Sequence, residues 1–236
     1  MTNGVTFDFV HRFEPGTGGN APPLLLLHGT GGDETDLLPL GRALSPGSAL
    51  LSPRGPVLEN GMPRFFRRLA EGVFDEADVR RRAGDLAAFV AQARTAYGLA
   101  APVAVGFSNG ANIAAATLLL HPEAMAGAVL LRAMVPLAES PRPNLAGRPV
   151  LLLSGALDPI VPADNAERLA STLGQAGAAV THTVNPAGHG LSQADLTAAQ
   201  AWLAGISAAE PSSRPRCPDA DDGGAGIRPS ARPVQM

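Results

Sequence analysis

One stretch, Ala101-Pro-Val-Ala-Val-Gly106-Phe-Ser108-Asn-Gly110-Ala-Asn-Ile-Ala-Ala-Ala-Thr-Leu-Leu-Leu120, limits what the rest of the chain can be. Val103 to Val105 is short and β-branched, as a strand buried on both faces requires, and Ile113 to Leu120 is apolar all round, as a buried helix requires. A sharp strand-to-helix turn brings two backbones close together. Glycine two places before and two places after Ser108 removes the side chains that would collide, and the turn lifts Ser108 Oγ clear of the sheet. The bare G-x-S-x-G pattern is weak in a chain with 27 glycines among 236 residues. Set between a buried strand and a buried helix, it points to a nucleophilic serine rather than a glycine-flanked loop serine. Such a serine needs a base, an acid and an oxyanion hole from elsewhere in the chain.

At 236 residues, 45% of them hydrophobic, the chain suits one large α/β domain with a sizeable core. Net charge is -3, and the 18 basic residues, every one an arginine, are spread along the sequence. That distribution argues against nucleic acid or an anionic membrane surface as partner. The single cysteine, Cys217, excludes an intrachain disulfide and, from its position, argues against a cysteine nucleophile or thiolate metal site. Met1 to Asp8 lacks a charged segment leading into an apolar one. The longest aliphatic run, Leu24 to Leu27, is far short of the roughly 20 residues a membrane span needs. A soluble, cytoplasmic protein without a membrane partner is the expectation.

Taken in order, Val5 to Val10 alternates as an edge strand, and Leu24 to Leu27 reads as a strand apolar on both faces. His28-Gly29-Thr30-Gly31-Gly32-Asp33-Glu34 follows. A glycine-rich turn at the carboxyl end of a buried strand leaves main-chain N–H groups free to point into a crevice, which suits an oxyanion hole. A plain loop before a helix whose first turn carries Asp33 and Glu34 is the simpler alternative. Asp36 to Leu44 reads as helix and Ala49 to Leu51 as strand. The loop from Ser52 to Arg68 holds too much proline and glycine for a regular element, yet Met62, Phe65 and Phe66 are too apolar for an idle surface. Each covers the core or walls a pocket, with covering favoured for Phe66 and the pocket for Phe65.

Asp75 as N-cap, Val79, Ala83, Leu86, Val90, Ala93 and Tyr97 at spacings of four and three, and a stop at Gly98 mark a long amphipathic helix. Arg80, Arg81, Arg82 and Arg94 form its solvated face. Ala126 to Leu131, Val150 to Ser154 and Val180 to Val184 read as further strands, and Asp164 to Leu173 as a helix capped by Asp164. Ser192 caps a closing helix with Leu196, Ala199, Leu203 and Ile206 on one face. Strand and helix alternate throughout, the pattern of a mostly parallel, doubly wound α/β sheet covered on both faces. From Ser207 the chain turns to Pro, Ser, Gly and Asp with almost nothing apolar. Residues 1–206 are therefore the expected folded domain and residues 207–236 a disordered tail.

Four motifs, Leu27-His-Gly-Thr-Gly-Gly32, Gly106-Phe-Ser-Asn-Gly110, Gly155-Ala-Leu-Asp-Pro-Ile-Val-Pro162 and Gly188-His-Gly190, make the chain resemble an α/β-hydrolase of the carboxylesterase/phospholipase family, which includes acyl-protein thioesterases. The loop from Ser52 to Leu69 resembles a bacterial branch of small carboxylesterases, sometimes associated with hydroquinone or quinone stress. The resemblance spans about residues 5 to 206. It implies the α/β-hydrolase fold and ester hydrolysis with no metal and no cofactor. A serine hydroxyl is a poor nucleophile at neutral pH, so an imidazole must take its proton and a carboxylate must fix the imidazole's tautomer. The fold presents these in the order Ser, Asp, His, which Ser108, Asp158 and His189 obey, each in a loop after a predicted strand. Rivals lose on position. His28 fits the hole-forming turn, His121 adjoins a helix-stopping proline, His182 lies inside a strand, and His11 is near the N-terminus. Asp164 is explained as an N-cap and Asp33 as a first-turn carboxylate. The implied oxyanion donors are the main-chain N–H groups of Thr30 and Asn109.

Met62, Phe65, Met134 and Ile160 are the candidate pocket residues, and they fit either a compact aryl or short-acyl pocket or the mouth of a long groove. The lack of a long apolar insertion, together with Arg54, Arg64, Arg67 and Arg68 in the one sizeable irregular loop, favours a small, partly polar ester. An acyl thioesterase or lysophospholipase is the runner-up. The expected partner is a small-molecule ester, with a homodimer left open. A catalytically dead binding protein on the same scaffold is disfavoured, since no triad member is missing.

Overall fold

The computed structural model describes residues 7–18 and 21–208, the last two by their backbone alone. Its central sheet holds, in spatial order, β1 (His11–Glu14), β3 (Leu50–Pro53), β2 (Leu24–Leu27), β8 (Val103–Phe107), β9 (Gly127–Leu131), β10 (Pro149–Gly155) and β11 (Ala179–Asn185). Neighbours run parallel except β1 on β3. The chain moves from β2 to one side as β3 and returns on the other side as β8, so strand order reverses between β2 and β8. In open α/β sheets the crevice outside the carboxyl ends at such a point receives ligands. Register lines those ends up: Leu27 pairs with Gly106, Phe107 with Leu131, Leu131 with Leu153, and Gly155 with Asn185. The loops starting at His28, Ser108, Arg132, Ala156 and Pro186 therefore share one edge.

Side chains alternate along a strand, so Leu25 and Leu27 face one layer and Leu24 and Leu26 the other. The first layer is covered by α2 (Glu76–Tyr97), α3 (Asn109–Leu120) and α4 (Ala163–Gln175), through Val79, Leu86, Ile113, Leu118, Leu169 and Leu173 among others. The second is covered by α1 (Leu38–Leu44) and α5 (Gln193–Ala208), through Leu38, Leu44, Ala199 and Leu203. All four leucines of β2 are fully buried, each contributing about 1.5–3 kcal/mol of hydrophobic stabilisation. α2 starts and stops where the sequence places it. Asp78 N–H donates to the Asp75 side chain, and Gly98 takes the left-handed conformation that ends the helix, with φ 66°.

Several boundaries differ from the sequence expectation. Among the described residues the edge ladder begins at His11, and the part of the expected Val5 to Val10 strand that is described, Phe7 to Val10, is not in it; Phe7 and Phe9 turn their rings onto Phe89 of α2, and residues 5 and 6 lie outside the described residues. Asp33 is not in a helix: its Oδ1 accepts from the N–H and hydroxyl of Thr35, and α1 begins only at Leu38. Asp164 lies inside α4, whose N-cap is Pro162. The loop after β3 does form regular elements, two short hairpins: β4 (Val57–Glu59) with β5 (Met62–Arg64), and β6 (Arg68–Ala70) with β7 (Val73–Phe74). Asn60-Gly61, with φ 51° and 79°, makes the first turn, since only such residues take positive φ at both positions cheaply. α5 runs through Ser207 and Ala208, two residues into the expected tail, and 209–236 lies outside the described residues. Among the described residues no helix is long and apolar enough to cross a membrane.

Candidate active site

Ser108 sits between β8 and α3 with φ 52° and ψ −114°, a conformation that costs a non-glycine residue on the order of 1–3 kcal/mol. The flanking glycines make the turn sterically allowed. A Cβ on Gly106 would lie 2.6 Å from the Gly110 carbonyl oxygen, and one on Gly110 would run into the Leu27 carbonyl. Ser108 N–H donates to Leu131 O over 2.8 Å, which ties the turn to β9. Its side chain occupies the N-cap position of α3 yet makes no capping bond, leaving the hydroxyl to another partner.

That partner is His189, whose Nε2 lies 3.0 Å from Ser108 Oγ. On the far side of the ring, Nδ1–H donates to Asp158 Oδ2 over 2.8 Å. With the proton held at Nδ1, Nε2 carries a lone pair toward the serine. Asp158 Oδ1 accepts the main-chain N–H groups of Ile160 (2.8 Å) and Val161 (3.1 Å), and the carboxylate is fully buried. Gly155 lets the histidine loop lie this close to β10, because a Cβ there would sit 2.6 Å from the Gly188 carbonyl oxygen.

Beside the serine, neither the Thr30 nor the Asn109 main-chain N–H has a hydrogen-bond partner among the described residues. Asn109 is the first residue of α3, where the helix dipole adds positive potential. The β4–β5 hairpin holds both residues. Arg64 Nη1 donates to Thr30 Oγ1 over 2.6 Å, Gly31 N–H donates to Pro63 O over 2.9 Å, and Phe65 N–H donates to Asn109 Oδ1 over 2.7 Å. Arg64 is 3% exposed, and burial lowers its pKa despite the Glu59 carboxylate 3.1 Å away. His28 is a loop anchor: Nδ1–H donates to Gly29 O and Nε2 accepts the Gly55 N–H, so both ring nitrogens are occupied. Burial lowers its pKa, in keeping with the neutral ring these bonds require.

A sequence model of the family described as Phospholipase/Carboxylesterase matches residues 14–207. The chain belongs to the phospholipase/carboxylesterase family. It is 44% identical over 194 residues to a Bacillus subtilis (strain 168) protein named as a hydrolase, MhqD, covering 81% of this chain and 96% of that one. The Bacillus cereus carboxylesterase is likewise 44% identical and superposes with a TM-score of 0.82 over 84% of this chain and 94% of that one. A carboxylesterase from Mesorhizobium loti, 32% identical, reaches 0.80 over 87% and 97%. The chain thus has the α/β-hydrolase fold and is an enzyme of the hydrolase class.

Within this phospholipase/carboxylesterase fold, the four candidate pocket residues divide. Met62 is exposed and borders Gly31 in the loop after β2; Ile160 is exposed beside Asp158. Phe65 is 1% exposed and packs on His28, so it belongs to the core with Phe66 rather than to an open wall. Met134 is also buried, beneath Gly72 of the second hairpin, with its N–H donated to Asn112 Oδ1. Among the described residues, no group of three His, Cys, Asp or Glu side chains is placed to hold a metal ion.

The sequence reading passed over Arg132 and Asp195. They form an ion pair at 2.6 Å with both side chains buried, next to the histidine loop. Burial pushes the Asp195 pKa up, but hydrogen bonds from Arg132, Asn185 and Ser192 outweigh it and hold it at about 2. Two signals were present. An arginine directly after the apolar strand Gly127–Leu131 is out of place unless paired, and Ser192-x-x-Asp195 has the spacing of a capping box.

Proposed function

We propose that this chain is a serine carboxylesterase that hydrolyses short-chain or aryl carboxylic esters through an acyl-enzyme. The hydrogen-bonded line Ser108–His189–Asp158 carries the reading. Ser108 Oγ attacks the ester carbonyl carbon as His189 Nε2 takes its proton, and Asp158 holds the Nδ1–H and stabilises the imidazolium. The negative charge that develops on the carbonyl oxygen is met by the Thr30 and Asn109 N–H groups. His189 then gives its proton to the departing alkoxide. Water, deprotonated by the same nitrogen, releases the acid from Ser108.

The loop arginines do not support a polar substrate. Arg54 pairs with Glu34, Arg67 with Asp75, Arg68 with Glu59 and Glu71, and Arg64 is buried. The short-chain reading rests instead on the modest insertion, two small hairpins and no helical lid among the described residues, and on relatives named as carboxylesterases. A second reading, thioesterase or lysophospholipase action on longer acyl chains, is favoured by Met62, Leu157 and Ile160, which are 40%, 73% and 37% exposed near the site. The test is kcat/KM across p-nitrophenyl esters from acetate to palmitate, beside an acyl thioester and a lysophospholipid. A fall beyond short acyl chains supports the first reading. A steady rise to palmitate replaces it with the second.

A further inference from the structure

Arg132, the first residue after β9, has no part in the reaction as described, yet its guanidinium is enclosed by hydrogen-bond acceptors. It is fully buried, and its φ of 56° is one that a non-glycine side chain rarely adopts. All five guanidinium N–H groups are used. Nε donates to Gly188 O (2.9 Å), Nη2 to Gly190 O (3.0 Å) and Asp195 Oδ2 (2.6 Å), and Nη1 to Leu153 O (3.1 Å) and Asp195 Oδ1 (3.1 Å). Gly188 and Gly190 are the two neighbours of His189. Asp195 in turn accepts from Asn185 Nδ2 at the start of the histidine loop and from Ser192 N–H and Oγ at its end.

A loop with glycine on both sides of its histidine has wide conformational freedom, and nothing in Gly188-His189-Gly190 itself fixes the ring. The ring must nevertheless hold two hydrogen bonds at once, 3.0 Å to Ser108 and 2.8 Å to Asp158. A rigid planar fork that grips the carbonyls before and after His189 removes that freedom, which a flexible ammonium could not do. Stability is a poor explanation for the pair, because replacing a buried ion pair by well-packed apolar residues is often neutral or stabilising. We infer that Arg132 is a positioning residue for His189: its guanidinium clamps the Gly188 and Gly190 carbonyls, and Asp195 orients the guanidinium. This rests on the proposed role of His189 as the base.

The deciding variant is Arg132→Lys, which keeps the charge and a contact to Asp195 but cannot reach both carbonyls. Measured well below its melting temperature, it is expected to lose kcat by roughly 10- to 100-fold with KM nearly unchanged, the size of effect that a small misplacement of a catalytic group produces. A merely structural role would not move the second readout, the downfield proton resonance of the His189–Asp158 hydrogen bond. That resonance is assigned by its loss in His189→Ala, and it should broaden or vanish in Arg132→Lys. If Arg132→Lys does not fold, Arg132→Met/Asp195→Leu, which leaves no buried charge unpaired, carries the same expectations. A folded variant with kcat within about twofold of wild type and an unaltered resonance overturns the inference. Full activity in Ser108→Ala would instead overturn the serine-esterase reading, so the two failures are distinguishable.

Discussion

Phe65 donates its main-chain N–H to Asn109 Oδ1 over 2.7 Å, tying the residue after Ser108, the proposed nucleophile, to a hairpin 44 positions away in the chain. The same hairpin reaches the other side of the site through Arg64 and Thr30 Oγ1. The β4–β5 hairpin therefore holds the side chains of both residues whose N–H groups are proposed to meet the oxyanion. Asn109→Ala should leave the buried Phe65 N–H without a partner, at a cost of about 1–3 kcal/mol in thermal unfolding. It should also lower kcat by roughly 10- to 100-fold, although the Asn109 N–H itself survives. A stability loss with kcat intact would show that the hairpin does not set the hole.

Ser108→Ala and His189→Ala should each reduce kcat by roughly 10⁴- to 10⁶-fold, and the double variant should be little worse, because the groups act as one unit. Steady-state kinetics on a p-nitrophenyl ester reads this directly. Losses that multiply would mean the two side chains contribute separately, against the geometry of the 3.0 Å contact.

Gly110→Ala puts a methyl group into the carbonyls of Leu27 and His28, which belong to backbone and cannot swing away. Overpacking of this kind costs about 1–3 kcal/mol and occasionally more, so a lower denaturant midpoint and a sharply lower kcat are expected together. Gly205→Ala in α5, where a Cβ meets nothing within 4 Å, is the control: it should leave kcat unchanged and raise rather than lower the midpoint, since alanine favours a helix over glycine by about 0.5–1 kcal/mol.

His28 contributes a pH dependence. Its folded pKa lies below the ordinary 6.5 because burial disfavours the imidazolium, so the unfolded chain takes up this proton first. The stability associated with neutral His28 is full above pH 6.5 and falls as pH drops from there through the folded value. Melting temperatures recorded from about pH 8 to about pH 5 should fall less steeply for His28→Gln than for wild type. His182, lowered by burial in the same sense, adds a slope common to both proteins. Equal slopes would remove His28 as the source.

Truncation after Ala208 should preserve melting temperature and activity, because the family match ends at residue 207 and the last of the described helices, α5, ends at Ala208. Truncation after Ile206 cuts into that helix. A clear loss of either property on removing only 209–236 would show that this segment contributes to the catalytic domain.

The sequence by itself determined the parallel strands of the central sheet, the helices that cover them and the order in which Ser108, Asp158 and His189 follow those strands. These follow from local chemistry: four leucines between Pro22-Pro23 and a glycine-rich turn are too few for a helix and fit a strand buried on both faces, and glycines on either side of Ser108 are needed where two backbones cross so closely. Asn60-Gly61 is equally legible as a hairpin turn, and the prolines and glycines of the Ser52 to Arg68 loop do not prevent regular structure there. Tertiary structure alone decided the roles that depend on partners distant in the chain. Phe65 is core because His28 packs on it, Arg64 is an anchor because Thr30 lies within its reach, and Arg54 and Arg67 are neutralised by carboxylates from outside the loop, Glu34 and Asp75. Arg132 and Asp195 are 63 positions apart, and no periodicity links them. Only the alignment of β9, β10 and β11 at their carboxyl ends brings that guanidinium under the two carbonyls beside His189.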